Sequence, residues 1–281
     1  FTSFRDGIVF VSAGDLGNLF KHGVDRVERG KIFAIDLHTL QGLGMEDPKE
    51  LPLVNFPEGR RFQPHGLYYS NQSNNLYAVS HPYQGEGSFV EIFKVRTDPS
   101  LALEHVDSIR PTGSMNGVIN DVVEGPSASE IFVSKWLWYS KPLGGDHGSR
   151  TFEEKLNEVK ESLGKMLIPA DVLLRCSRRA SNTTSTSTST WECVEATAMK
   201  AKMYNGLAIS TDRTKLFAVD TAGKLVRIFR IIGSDDERGS LLSWQGDIRV
   251  PHSLDNIDYE DASGDLIAGS IPVGWKAFRM K

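Results

Sequence analysis

Cysteine is scarce: Cys176 and Cys193 are the only two in 281 residues. Two thiols are too few for a thiolate metal cage, and their spacing fits no common zinc pattern. Long apolar runs are missing, so no segment has the length a helix needs to cross a bilayer. A basic excess is missing too. Thirty-two Lys and Arg stand against 36 Asp and Glu, a net charge of −4 with the signs interspersed. That argues against nucleic acid as a partner, which calls for a basic patch. The chain opens on Phe1 and shows no signal-peptide pattern. What remains is an ordinary globular composition, 40% hydrophobic, long enough to bury a sizeable core, and is read as one domain over 1–281.

Most of the chain reads as short strands rich in β-branched and aromatic residues, closed by Gly, Asn, Asp, Ser or Pro. Strands are expected at 7–13, 31–36, 75–80, 89–95, 130–134, 215–220 and 225–230. Four stretches share one grammar: QPHGLYYSNQSNNLYAVSHP, VINDVVEGPSASEIFVSKW, MYNGLAISTDRTKLFAVDT and SLDNIDYEDASGDLIAGSIP. Each opens on polar residues, alternates apolar residues, turns, and enters a second strand. Their lead residues His65, Asn120, Asn205 and Asn256 are 55, 85 and 51 positions apart. Removing an insertion of roughly 30 residues from the middle gap leaves a period near that of a propeller blade. The fold class is therefore all-β, a β-propeller. The insertion spans 141–170. Within it Phe152, Leu156, Val159, Leu163 and Met166 alternate by four and three, predicting an amphipathic helix with Glu161 and Lys165 paired outside. Residues 181–190 form a Ser/Thr-rich loop at a hairpin tip. Cys176 and Cys193 flank it, either bridged across the hairpin or as two thiols; a bridge fits a secreted protein. Asn71-Gln72-Ser73 and Asn182-Thr183-Thr184 are glycosylation sequons, which also point toward the secretory route.

The innermost strand of every blade lines the central channel of a propeller, so one residue per blade converges there. His65, Asn120 with Asp121, Asn205, and Asp255 with Asn256 occupy that place in the repeat. Amide and carboxylate oxygens are hard donors that suit Ca²⁺, with six to eight ligands at about 2.3–2.6 Å. Taken singly, each Asn or Asp is as well explained as a turn cap; the repetition favours a shared site. His65 and His81 open and close one repeat and form a candidate proton-relay pair. His22, His38, His105, His147 and His252 lack such a context and read as surface or structural residues. Phe62, Trp136, Trp138 and Trp275 are candidates for an apolar wall or for plain core.

FQPHGL, SHP, VEIFKV, INDVV, YNGLAIS, LDNI and SGDL follow in this order over nearly the whole chain. In this the sequence resembles the paraoxonase/arylesterase family, calcium-dependent six-bladed propellers that hydrolyse lactones and esters. The resemblance implies a catalytic calcium held by Asn120, Asn205, Asp255 and Asn256. It implies a second, structural calcium at Asp121 and the Leu67 carbonyl, and a water-activating pair at His65 and His81. It also implies six blades, incomplete at both chain ends, because the family's upstream acidic pair, closing strands and terminal disulfide have no counterpart between Phe1 and Lys281. Ile271 stands where the family carries a histidine, and Trp136 and Leu137 stand near the mouth. The expected activity is calcium-dependent lactone or aryl-ester hydrolysis on a small-molecule substrate, in a secreted or secretory-pathway protein. Lipid association finds no support in the chain. The alternatives are a calcium-stabilised propeller that only binds a partner, and a strictosidine-synthase-like propeller that needs an acidic catalytic residue and no metal.

Overall fold

The computed structural model describes residues 2–5, 7–15, 27–38, 47–82, 87–111, 118–137, 169, 171–179, 190–233 and 241–270. These form nineteen strands and, among the described residues, no helix. The helix expected over 152–166 and the Ser/Thr-rich tip, apart from Thr190, lie outside them.

The strands fall into two compact units, divided after Arg110. The first holds two sheets. One runs β1 (Thr2–Arg5), β2 (Ile8–Ala13), β3 (Lys31–Asp36) and β4 (Lys49–Glu50) in sequence order. The other adds β5 (Leu53–Val54) to the outside of a meander of β6 (Pro64–Ser70), β7 (Asn75–Ser80), β8 (Phe89–Arg96) and β9 (Ala102–Ile109). The second unit holds three sheets. They are β10 (Val118–Glu124), β11 (Glu130–Leu137), β12 (Leu173–Arg179) and β13 (Thr190–Glu195); then β14 (Tyr204–Ile209), β15 (Lys215–Asp220), β16 (Leu225–Ile232) and β17 (Leu241–Arg249); then the pair β18 (Leu254–Tyr259) and β19 (Leu266–Ser270). Four-stranded antiparallel meanders in chain order are propeller blades. The chain is thus an all-β, multi-bladed propeller-fold protein. The described residues supply four blades and an inner pair, where six blades were expected. The expected strands are present, the first of them beginning at Ile8, with Gly7 in the preceding turn.

Burial falls from the first strand of a blade to the last. All six residues of β14 are buried, whereas β17 is mostly open. An inner strand is covered on both faces and so reads as a near-continuous apolar run; an outer strand does not. In the first unit Phe10, Ile32, Phe62, Leu67, Leu76 and Phe93 pack between the two sheets. Phe62 lies fully buried there, its ring 5.2 Å from Phe56 and 5.8 Å from Phe93. It is core and not a pocket wall. In the second unit Phe217, Val219, Val226, Leu254 and Ile257 fill the space between the β14–β17 sheet and β18–β19.

His105 is structural. Its Nε2 lies 3.0 Å from the Glu91 carboxylate and 3.0 Å from Ser108 Oγ. Glu91 is fully buried, so it needs its charge matched and its oxygens bonded. Arg60 supplies the cation, with Nη1 3.2 Å from Oε1, and Ser108 donates a hydrogen bond of 2.5 Å. On the third sheet Cys176 and Cys193 are directly opposed and form a disulfide. The bridge resolves the choice the sequence left open, and it is consistent with an oxidising, extracellular setting.

Candidate functional site

One irregularity recurs at the head of the inner strands. In β6–β7, Pro64 faces Ser80 and Leu67 faces Ala78, so His65 and Gly66 together oppose Val79. In β14–β15, Tyr204 faces Asp220 and Leu207 faces Ala218, so Asn205 and Gly206 oppose Val219. In β18–β19, Leu254 faces Ser270 and Ile257 faces Ala268, so Asp255 and Asn256 oppose Gly269. In β10–β11 the register slips on either side of Ile119, and Asn120 is left without a partner. A β-bulge of this kind takes residues out of the ladder and re-aims their side chains, and bulges are frequent beside active sites. The polar residues that head each sequence repeat are the bulge residues.

In the second unit these bulges meet. Strand β14 packs against both β10 and β18. The Asn120 amide donates to Asn205 Oδ1, and Asn205 Nδ2 donates to Asp255 Oδ1 at 2.5 Å. Asn256 Oδ1 is buried and has no hydrogen-bond partner among the described residues. Asn120 and Asn205 are buried, whereas Asp255 and Asn256 are half-buried, so the cluster opens toward β18. Beneath it, Asp121 Oδ2 accepts from the Leu207 N–H at 2.8 Å and Oδ1 from the Val122 N–H at 2.9 Å. Ser134 Oγ accepts the Asp121 N–H at 3.0 Å. Burial pushes the Asp121 carboxyl up to about 8, against the pull of those two N–H groups.

Gly206 sets the spacing. A Cβ there would stand 2.6 Å from Asn256 Cα and 2.7 Å from Ile257 N, both backbone atoms that cannot swing away. Only glycine lets β18 come close enough for Asp255 to reach Asn205. Sequence reasoning missed this residue, although the glycine after the polar lead appears twice, as His65-Gly66 and Asn205-Gly206.

The cluster's donors are amide and carboxylate oxygens, the set that a hard divalent cation takes. Among the described residues no three His, Cys, Asp or Glu side chains converge on one point. Any ion in this cluster is therefore held largely by amide oxygens. The orphaned Asn256 oxygen fits such a ligand, because a buried acceptor left without a donor or cation is costly.

In the first unit the His65 and His81 rings lie 5.5 Å apart, centroid to centroid, tilted by 49°. The His81 N–H bonds Gln63 O at 3.0 Å, which places the residue at the end of β7 beside the bulge. Its Nδ1 lies 3.0 Å from Ser88 Oγ, and Ser88 is buried. Ser88 therefore orients the ring, a role no sequence motif signals. Burial, reinforced by the His65 ring, holds the His81 imidazole down at about 3, so it is neutral at pH 7. Leu67, whose carbonyl was an expected ligand, is buried in β6 of the first unit, and Asp121 lies in the second. Trp138, Ile271 and Trp275 lie outside the described residues, as do the side chains of Trp136 and Leu137.

No protein-family profile matches the chain. Serum paraoxonase/lactonase 3 of Oryctolagus cuniculus is 26% identical to it over 278 residues. The match covers 96% of this chain, which spans 65% of that protein's length. The hydrazine synthase of Kuenenia stuttgartiensis superposes with a TM-score of 0.50 at 10% identity, over 95% of this chain and 69% of that one. A gluconolactonase from Xanthomonas campestris superposes with a TM-score of 0.44 at 14% identity, over 85% of this chain and 62% of that one. The chain is thus a propeller-fold protein related at low identity to a paraoxonase/lactonase.

Proposed function

We propose that this protein hydrolyses lactones or aryl esters with the help of a bound calcium ion. The observation that carries the reading is the bulge-borne cluster, in which Asn120, Asn205 and Asp255 of three inner strands are linked side chain to side chain, with the buried, unbonded Asn256 oxygen on the residue next to Asp255. Asn120, Asn205, Asp255 and Asn256 would hold the ion. A bound calcium ion would polarise the substrate carbonyl and stabilise negative charge on its oxygen.

The remaining work falls to the histidines. His65 takes a proton from the attacking water as the water oxygen bonds to the acyl carbon, and it returns that proton to the departing alkoxide when the acyl C–O bond breaks. His81, held down at about 3, is too weak a base to be the acceptor at neutral pH. Because it stays neutral, it places no positive charge beside His65 to repel the arriving proton. Ser88 keeps it in that orientation. Relatedness to a paraoxonase/lactonase supports the substrate class.

The test is hydrolysis of aryl esters and a lactone panel with and without chelator, with folding followed by circular dichroism. Chelation should abolish turnover while the protein stays folded. Asp255→Ala should raise the calcium concentration needed, and His65→Gln should lower kcat by about 10²–10⁴-fold. Turnover indifferent to chelator would overturn the reading. Calcium binding without turnover on any ester or lactone would make the protein a calcium-stabilised binding module.

A further inference from the structure

We propose that Asn71 is an N-glycosylation site. It heads the sequon Asn71-Gln72-Ser73, with no proline at the middle position. The structure places it at the tip of the turn joining β6 to β7, where Asn71 and Gln72 are exposed. The inner side of that turn is pinned. Tyr69 Oη donates to Asn74 Oδ1 at 2.9 Å, Asn74 Nδ2 reaches Val95 O at 3.3 Å, and Lys94 Nζ bonds Ser73 O at 2.6 Å. Asn74 adopts a φ of 55°, the left-handed conformation that closes the turn and that asparagine tolerates. These contacts hold residues 73 and 74 against the sheet and leave Asn71 pointing outward. Its side-chain amide makes no hydrogen bond among the described residues, so a glycan there displaces no contact.

Two further observations agree. The Cys176–Cys193 disulfide is of the kind made in the oxidising compartment where asparagine glycosylation takes place. The tip also lies at the far end of β6 from the His65 bulge, about 20 Å along the strand at its usual rise. A bulky sugar at Asn71 therefore leaves the bulge end of the blade clear. In the reaction, Asn71 Nδ2 bonds to the anomeric carbon of an oligosaccharide carried on a lipid pyrophosphate. The anomeric C–O bond to pyrophosphate breaks, the amide loses one proton, and nothing is oxidised or reduced.

The experiment is to direct the full chain through the secretory route of a eukaryotic cell and digest the secreted protein with peptide-N-glycosidase in heavy-oxygen water. The peptide containing Asn71 should then carry a heavy-labelled aspartate at that position. Asn71→Gln should remove one glycan increment from the electrophoretic mobility, independently of Asn182→Gln. It should leave calcium binding and ester turnover unchanged. An unmodified Asn71 in protein whose Cys176–Cys193 bridge has formed would overturn the proposal, since that protein has passed through the right compartment.

Discussion

Gly206→Ala puts the architecture of the bulge cluster under direct test. The added Cβ would lie 2.6 Å from Asn256 Cα, 2.7 Å from Ile257 N and 3.0 Å from Asn256 C. Carbon atoms rest at about 3.5–4.0 Å, so β18 must withdraw by about 1 Å. Overpacking of this sort destabilises by about 1–3 kcal/mol, and the upper half of that range applies where the obstacle is backbone. The alanine also stiffens the unfolded chain, which returns about 0.4–1 kcal/mol. The net loss is about 1–2.6 kcal/mol before any damage to the Asn205–Asp255 hydrogen bond. At about 2–4 °C per kcal/mol for a chain of this order, Tm should fall by about 2–10 °C. The matched control is Gly246→Ala on β17, where a Cβ meets nothing within 4 Å and no fall is expected. Urea unfolding of both variants and the parent, with and without calcium, gives the comparison. The parent should gain about 2.7 kcal/mol at calcium a hundredfold above its dissociation constant, and Gly206→Ala should gain less. If Gly206→Ala unfolds with the parent and takes the same gain from calcium, the account of how β14 and β18 approach is wrong.

Three other outcomes are expected. Replacing Cys176 and Cys193 together by serine opens a loop of sequence separation 17 and should lower equilibrium stability by about 3 kcal/mol, measured by denaturant titration under non-reducing conditions. His81 rests at about 3 in the folded protein against an ordinary value of 6.5, so below pH 6.5 the unfolded chain binds a proton that the folded one refuses. Its share of stability is complete above pH 6.5 and is lost as pH falls toward 3, with a slope of at most about 1.4 kcal/mol per pH unit. A pH series of urea midpoints should show that slope shrink in His81→Gln; a slope left unchanged would refute the assignment. Among the described residues, Arg60→Ala leaves the fully buried Glu91 carboxylate with His105 and Ser108 as its side-chain partners. Unpaired buried charges cost about 3–5 kcal/mol, and the partial exposure of Arg60 reduces this to about 2–3 kcal/mol, readable by thermal unfolding.

The hairpins were legible because each carries its own punctuation. Ser70 to Asn75, Ser210 to Lys215 and Glu260 to Leu266 are turn chemistry between apolar runs, and the strands lie where those runs lie. The polar heads of the repeats were legible as a recurring oddity. What they do to the backbone was not, since a bulge is a mismatch between two strands and no single strand encodes it. The close approach at Gly206 belongs to the same class: its reason is Asn256, fifty residues further on. Phe62 shows a different limit. An aromatic residue beside a proposed site suits a pocket wall and a core equally, and only its neighbours Phe56 and Phe93 decide. Protonation escaped for a related reason, as the low His81 value comes from burial and a neighbour sixteen positions away.

The second and third strands of the third blade are joined by the 35 residues between Leu137 and Leu173, against the four between Asp220 and Leu225 in the next blade. Yet Ser134 pairs with Leu173 just as Asp220 pairs with Leu225. The entropy of closing a loop grows only with the logarithm of its length, so the longer excursion adds about 2 kcal/mol, once. The β11–β12 pairing fixes both ends of the connection whatever its length. Sequence can thus be spliced into or pared from this connection over long evolutionary spans while Asn120 stays beside Asn205.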